Sequence, residues 1–439
     1  MLLRVITIAV LVLVTLVFRL GFLTYAVYTL CGLLWISRSL ARLWSDSTQV
    51  RRECNRLTAE VGQTIAVMIT VTNTSRWPVG WVLVEDLLPP GALLHEPPRL
   101  RVAGERLQLI RLRGRGSQSL YYQLTCHRRG YYQLGPVIVE TGDLFGLHRR
   151  YRVAAEPSFL LVLPEVLPIT GYDIASRRPL GEVRLTHRLF EDPTRLAGVR
   201  AYQTGDSLNR IHWRATARTG QLHSKIYEAS TVAGATLLVD FHGPAHDAHH
   251  EPVRSELAIT AAASIAHGLY QLGQQIGLMS NGRDAADRIR VEGWVTDWRT
   301  RDGARTAAAM RDDSDRLRPV VIPTRRGANQ FQQILESLAR LELSDGLPFA
   351  TFTQEIDDQL PRDATVIAIL PRVGDAEVIA LTSLRRRGYA VTVLVNRFDD
   401  YEYAQAAGPL IAAGVDVRHL RRRDSIETIC RQFAAGGRP

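Results

Sequence analysis

Residues 196–228, LAGVRAYQTGDSLNRIHWRATARTGQLHSKIYE, gather the most distinctive set of reactive side chains in the chain. Arg200, Tyr202, Gly205, Asp206, Arg210, His212, Trp213, Arg218, Lys225 and Glu228 stand there between a strand-like start and a strand-like end. A histidine near a carboxylate can act as a general base, so His212 with Asp206 suggests a hydrolase. No serine or cysteine stands at a defined offset to serve as its nucleophile. The same residues also read as scaffolding. Gly205-Asp206 can end a strand and cap a short helix, with Asp206 accepting free N–H groups. Arg210, four positions on, shares that face and permits an ion pair. His212 and Trp213 add a polar tip and a large apolar body. The balance favours an internal clamp or a partner-docking surface over a reaction site.

A second constellation is DFHGPAHDAHHE, residues 240–251, which holds Asp240, His242, His246, His249 and His250. Zinc takes three such imidazoles with a carboxylate. The segment reads as a loop, however, and a solvated histidine-rich loop is the plainer reading.

These residues need elements to position them. From residue 198 onward apolar runs alternate with helical periodicity: strands at 236–241, 276–280, 365–370, 390–395 and 415–418, and helices at 255–272, 328–343, 376–387 and 401–413. That alternation predicts a parallel sheet covered on both faces. Ligands of such sheets bind outside the carboxyl ends of the strands, which directs attention to Asp240. Residues 48–168 instead show period-two runs, such as Ile65-Val67-Ile69-Val71, punctuated by turn clusters at 73–78, 89–91, 113–116 and 128–130. Six to eight short strands without a helix predict an immunoglobulin-like β-sandwich. Residues 2–36 are almost uninterrupted apolar sequence, about twice the length a single span needs, and predict a transmembrane helical hairpin with legs at 3–18 and 20–36. Arg38, Arg42, Arg51 and Arg52 follow it, which orients the large domains to the cytoplasm.

The chain is thus expected to be multi-domain: a transmembrane hairpin (1–40), a β-sandwich (48–168), a connector (169–197) and an α/β domain (198–439). The formal net charge is +10, and Lys225 is the only lysine. The arginines are scattered in pairs and triplets, such as Arg128-Arg129 and residues 385–387. A nucleic-acid binder concentrates its charge on one face among aromatics, so no nucleic-acid partner is expected, and attraction to anionic membrane lipid fits better. Cys31, Cys54, Cys126 and Cys430 lie far apart with no CxxC spacing, which argues against a disulfide framework.

The apolar N-terminus, the run GYYQLGPVIVETGDLFGL at 130–147, and above all VRAYQTGDSLNRIHWRATARTGQLHSKIYE before LLVDF resemble the domain-of-unknown-function-58 family of bacterial membrane-anchored proteins. That resemblance implies a von Willebrand factor type A-like (Rossmann-like) C-terminal domain. It also implies placement in the bacterial plasma (inner) membrane, and partnership with a MoxR-type AAA+ ATPase and a transglutaminase-like membrane protein. It further implies a magnesium-binding Asp-x-Ser-x-Ser motif. Here the sequence departs: after Asp240 come Phe241, His242, Gly243 and Pro244, and the loop after the strand at 365–370 begins Pro371-Arg372, where an acidic residue is expected. A divalent metal, magnesium or zinc, would therefore have only Asp240 as a clear ligand. The expected function is a membrane-anchored, non-enzymatic scaffold or adaptor that binds the ATPase. The alternative is a cell-envelope hydrolase using His212 and Asp206 or a metal at Asp240.

Overall fold

An apolar N-terminal half and a serine-rich C-terminal half join in one continuous helix, α1 (Phe22–Ser47). The structure, a computed structural model, describes residues 21–94, 96–167, 191–202, 211–229, 234–287, 317–361 and 364–434. The chain divides into two compact units. The first comprises Met1–Glu165, Gly282–Val320 and Leu335–Gly346; the second comprises Val166–Asn281, Val321–Ile334 and Leu347–Pro439.

Helix α1 corrects the expected transmembrane hairpin. The first leg, 3–18, lies outside the described residues. The second does not stop at residue 36 but runs on through Ser37, Arg38, Arg42 and Asp46 to Ser47. Its last turns are buried: Ser37, Ala41, Trp44 and Ser45 are almost inaccessible, and Trp44 belongs to the core of the first unit. The Trp44 ring lies so close to Gly80 that a Cβ there would meet it at 2.6 Å. Among the described residues no helix is long and apolar enough to cross a membrane. The expected integral inner-membrane placement, with cytoplasmic orientation read from the hairpin's flanks, is therefore not supported.

Eleven strands form the body of the first unit: β1 (Thr48–Cys54), β2 (Thr58–Glu60), β3 (Thr64–Asn73), β4 (Val79–Asp86), β5 (Leu100–Gly104), β6 (Leu107–Leu112), β7 (Ser117–Cys126), β8 (Gly130–Leu134), β9 (Val137–Gly142), β10 (Arg149–Ala155) and β11 (Ser158–Leu163). They make sheets of order β1-β3-β7-β5, β10-β9-β4-β6 and β2-β11-β8. Alternate side chains of β3, such as Val67 and Ile69, share one core with Tyr122 and Leu124 of β7, Val82 and Val84 of β4 and Val139 of β9. Period two puts every second residue on that inner face.

One charged cluster is sealed inside. Arg52 Nη1 donates to Asp86 Oδ1 at 3.1 Å, Tyr122 Oη donates to Asp86 Oδ2 at 2.7 Å, and both members of the ion pair are buried. Arg52 Nη2 donates to Glu156 O and Ser158 Oγ. Burial pushes the Asp86 carboxyl up even with Arg52 beside it, so the pair is needed to make this buried aspartate tolerable.

The second unit opens with an antiparallel ribbon of β12 (Glu191–Ala201) and β13 (His223–Ala229), with helix α2 (Trp213–Thr219) between them in sequence. Of the connector expected at 169–197, residues 169–190 lie outside the described ones. A six-stranded sheet follows from β14 (Gly234–Val239), β15 (Gln275–Ser280), β16 (Val320–Arg325), β17 (Ala364–Leu370), β18 (Val391–Val395) and β19 (Asp416–His419), in the order β16-β15-β14-β17-β18-β19. Each of the pairs β14–β15, β14–β17, β17–β18 and β18–β19 is parallel. Strand β14 is buried at all six positions, with Leu238 registered between Met279 and Ala368. Helices α3 (Val253–Gln271), α4 (Ala328–Arg340), α5 (Phe349–Glu355), α6 (Asp375–Arg386), α7 (Asp400–Ala412) and α8 (Arg423–Ala434) alternate with these strands along the chain.

Removing Arg52 would strand Asp86 in the sandwich. Arg52→Met is expected to destabilise that unit by about 3–5 kcal/mol in a denaturant titration, and the double variant Arg52→Met/Asp86→Leu by clearly less. Equal losses in the two would show that packing, not the stranded charge, sets the cost.

Candidate functional site

The distinctive stretch folds as the ribbon and the helix it encloses. Ile211 bridges Ser224 of β13, and His212 N–H donates to His223 O at 2.8 Å. His212 then caps α2: its Nδ1 accepts from the Ala215 N–H at 3.0 Å. Gly220, with φ of 72°, closes the helix by donating to Thr216 O; this left-handed position suits glycine. A neutral imidazole whose Nδ1 accepts must carry its proton on Nε2, so the capping His212 holds no free lone pair for a general base. Trp213 starts the helix and is 68% exposed. Arg218 is exposed in the last turn, where a cation complements the helix dipole.

Arg200 lies opposite Ser224 on the ribbon and donates to Ala201 O. The Tyr202 N–H donates to Leu222 O. Lys225 lies opposite Val199, and Glu228 lies in β13. Gly205, Asp206 and Arg210 lie outside the described residues, and with them the expected Asp206–Arg210 pair. The described cap of α2 is His212, which sequence reasoning assigned a different part.

The second constellation sits at the carboxyl end of the parallel sheet. In chain order the strands run 3-2-1-4-5-6 across it, so the order reverses between β14 and β17, and that is where doubly wound folds open a ligand crevice. Asp240, the first residue past β14, lies there 2% exposed. Its N–H donates to Ile369 O of β17. Its Oδ1 accepts from the His242 N–H at 3.1 Å and from Asn281 Nδ2 at 2.8 Å. Asn281 ends the neighbouring strand's run. Its Nδ2 also reaches Leu347 O at 3.0 Å while its Oδ1 takes the Phe241 N–H at 2.7 Å, so the amide orientation follows from its partners. Burial pushes the Asp240 carboxyl up; Asn281, the His242 N–H and the charges of His246 and His242 offset this only in part.

Beside Asp240 the loop is fastened by His246. Its Nδ1 lies 2.8 Å from Glu251 Oε1 and its Nε2 lies 3.2 Å from Asp240 O. Both partners are acceptors, so the ring satisfies them together only with a proton on each nitrogen. Ser255 Oγ donates to Glu251 Oε2 at 2.5 Å. Serine, carboxylate and histidine thus adjoin with the carboxylate in the middle. A nucleophilic serine needs the histidine there instead, so this cluster is wired as a clamp. Burial raises the Glu251 carboxyl, but the hydrogen bonds from His246 and Ser255 outweigh it and hold Glu251 below the usual carboxylate range. Further along the edge, buried Arg254 donates to Asn396 Oδ1, Leu420 O and Arg421 O, with its guanidinium 3.3 Å from the centroid of the Phe398 ring.

A magnesium ion does not fit the residues at Asp240. The ion wants six oxygens in near-octahedral array, yet Asn281 turns its nitrogen toward the carboxylate. His249 and His250 are exposed in short turns. Among the described residues no group of three His, Cys, Asp or Glu side chains could hold a metal. Asn281, Glu251, Ser255, Arg254 and Asn396 were missed by sequence reasoning. For Asn281 and Asn396 the usable signal is a polar residue directly after a buried strand.

Strand order and switch-point polarity together define an α/β domain of the doubly wound class. Residues 198–293 match the family described as "Protein of unknown function DUF58". It is similar to the "Uncharacterized protein YeaD" of Bacillus subtilis (strain 168), 23% identical over 367 residues that cover 83% of this chain and 80% of the relative. Similar solved structures include the CARDB domain of the PF1109 protein from Pyrococcus furiosus, 12% identical over 26% of this chain and 87% of that one, with a TM-score of 0.18. Another is the ASH/PapD-like domain of human CEP192, 17% identical over 25% and 82%, with a TM-score of 0.16. Scores this low carry no argument.

The clamp has a pH signature. Because the folded-state value of Glu251 is lowered, its contribution is whole above the unfolded value of about 4.3 and is lost as pH falls through the folded value. Thermal unfolding of the α/β unit should lose stability below about pH 4.3 more steeply in the wild type than in Glu251→Gln. The raised Asp240 carboxyl has the opposite sign and is unaffected by that substitution.

Proposed function

We propose that the protein is a non-enzymatic docking scaffold whose α/β domain, of von Willebrand type A-like character, binds a protein partner, a AAA+ ATPase of the MoxR type. The observation that carries this reading is Trp213: a large aromatic residue left 68% exposed at the start of a helix whose two ends are both fixed by caps. A rigid exposed tryptophan is the side chain that most often anchors a protein interface. The two histidine clusters support the non-enzymatic part, since His212 spends its lone pair on the helix and Ser255 addresses Glu251 rather than His246. A transglutaminase-like protein is a second partner in this reading, and nucleic acid is not one.

Co-purification of the MoxR-type ATPase with the full-length protein tests the proposal. Trp213→Ala should weaken capture by about 30-fold, in line with loss of an interface anchor, while the melting temperature stays put because an exposed side chain contributes only about 0.5 kcal/mol or less. Equal capture by both proteins, or no capture by either, would sink it.

A further inference from the structure

Three connections of the first unit meet at one end of the sandwich: residues 74–78 between β3 and β4, 113–116 between β6 and β7, and 143–148 between β9 and β10. Strand register brings them together, since Val79 lies opposite Leu112 and Val82 opposite Thr141. Contacts fasten them to one another. The Arg115 N–H donates to Ser75 O at 2.8 Å, Asn73 Nδ2 donates to both Trp77 O and Arg113 O, and a Cβ on Gly80 would meet the Leu144 side chain at 3.2 Å. Helix α1 reaches the same end, where Ser37 Oγ lies 2.8 Å from His148 Nδ1.

The tip of this end is apolar. Trp77, Leu144, Phe145 and Leu147 are each between 52% and 69% exposed. The 143–148 loop is held from its base by Asp143, which is buried and whose carboxylate accepts from the Phe145 N–H at 2.9 Å and the His148 N–H at 2.7 Å. The Asp143 carbonyl accepts from Trp81 Nε1 at 3.2 Å, and Gly146 takes a φ of 71°, which suits glycine. A loop fixed in this way, with three apolar side chains turned to water, forgoes the stabilisation of burying them. Contiguous patches of this kind mark contact surfaces.

Charge identifies what the tip meets. Arg76, Arg113 and Arg115 are exposed on the two neighbouring turns. Arg149 and Arg150 follow the loop, with Glu140 and Asp46 at 3.5 and 3.8 Å. Within residues 74–78, 113–116 and 143–150 the sole acid is Asp143, and it is spent on the backbone. Apolar and tryptophan side chains bordered by arginine match the boundary of a lipid bilayer, where aromatic rings sit at headgroup level and anionic headgroups attract each arginine. A bilayer surface also meets three separate turns at once and yields to a projecting tip.

We propose that this end of the sandwich docks on a membrane surface rich in anionic lipid, with Phe145 and its leucine neighbours entering the acyl boundary and Arg113 and Arg115 meeting lipid phosphates. The contact is made with one leaflet and needs no crossing helix. It goes beyond the docking role assigned to Trp213 and does not depend on it.

Flotation of the full-length protein with vesicles of phosphatidylglycerol and phosphatidylcholine, compared with vesicles of phosphatidylcholine alone, tests the proposal. The wild type should bind the anionic vesicles about tenfold more tightly. Phe145→Ser/Leu147→Ser should weaken that binding by about tenfold or more, whereas Leu109→Ser, which alters a leucine 65% exposed in the middle of β6, should leave it unchanged. Arg113→Gln/Arg115→Gln should weaken binding to the anionic vesicles by about tenfold and leave the weak binding to phosphatidylcholine as it was. All three variants should melt with the wild type, because the altered side chains are exposed. No flotation of the wild type, equal binding to the two kinds of vesicle, binding by the Phe145/Leu147 variant equal to the wild type, or an equal loss in Leu109→Ser would each overturn the proposal. So would a wild-type dimer that forms without lipid and is lost in the Phe145/Leu147 variant while vesicle binding persists, since that would assign the tip to a second copy of the chain. Capture of the ATPase has no bearing on any of these outcomes.

Discussion

A parallel sheet buried on both faces leaves its strands no room for polarity until they end, and much of the second unit follows from that constraint. Strand β14 is apolar and buried from end to end apart from Thr236, so the first charge after it, Asp240, emerges at the carboxyl edge. The same holds for Asn281 after β15 and Asn396 after β18. Chemistry is concentrated at one rim because the interior excludes it, and helices that follow the strands bring their first turns to that rim. Arg254 in the first turn of α3 donates to Asn396 at one strand end, and Glu251 just before the helix accepts from the Ser255 N–H.

Periodicity made much of this legible. The period-two run through Ile65 and Val71 is β3, and the alternation of apolar runs with helical stripes from residue 236 places five of the six strands of the sheet within two residues of their observed ends, but it does not anticipate β16 (Val320–Arg325). Asp240 could be singled out because strand-end position is a topological property that sequence order carries. Asn281 could not, since its importance lies in two hydrogen bonds to residues some forty positions earlier. The hairpin reading failed at residue 36 for a related reason. Hydropathy reports how apolar a helix is, but not that its next three turns find a sandwich to pack on, as Trp44 does against Gly80.

The buried charges of the two units are handled differently. In the sandwich, Arg52 meets Asp86 and then spends its second nitrogen on Glu156 O and Ser158 Oγ, so a single guanidinium ties strand β1 to β4 and β11. In the α/β unit the clamp is built from His246 and Glu251, and among the described residues no arginine meets Asp240.

Arg129 sets a schedule for synthesis. Its Nη1 donates to the carbonyls of Leu338 and Leu341, more than two hundred residues downstream, and these residues belong to the same unit. A ribosome that has made the eleven strands of the sandwich has not yet made the acceptors for this buried guanidinium. The contacts that bury this guanidinium therefore form only after nearly four-fifths of the polypeptide has been made.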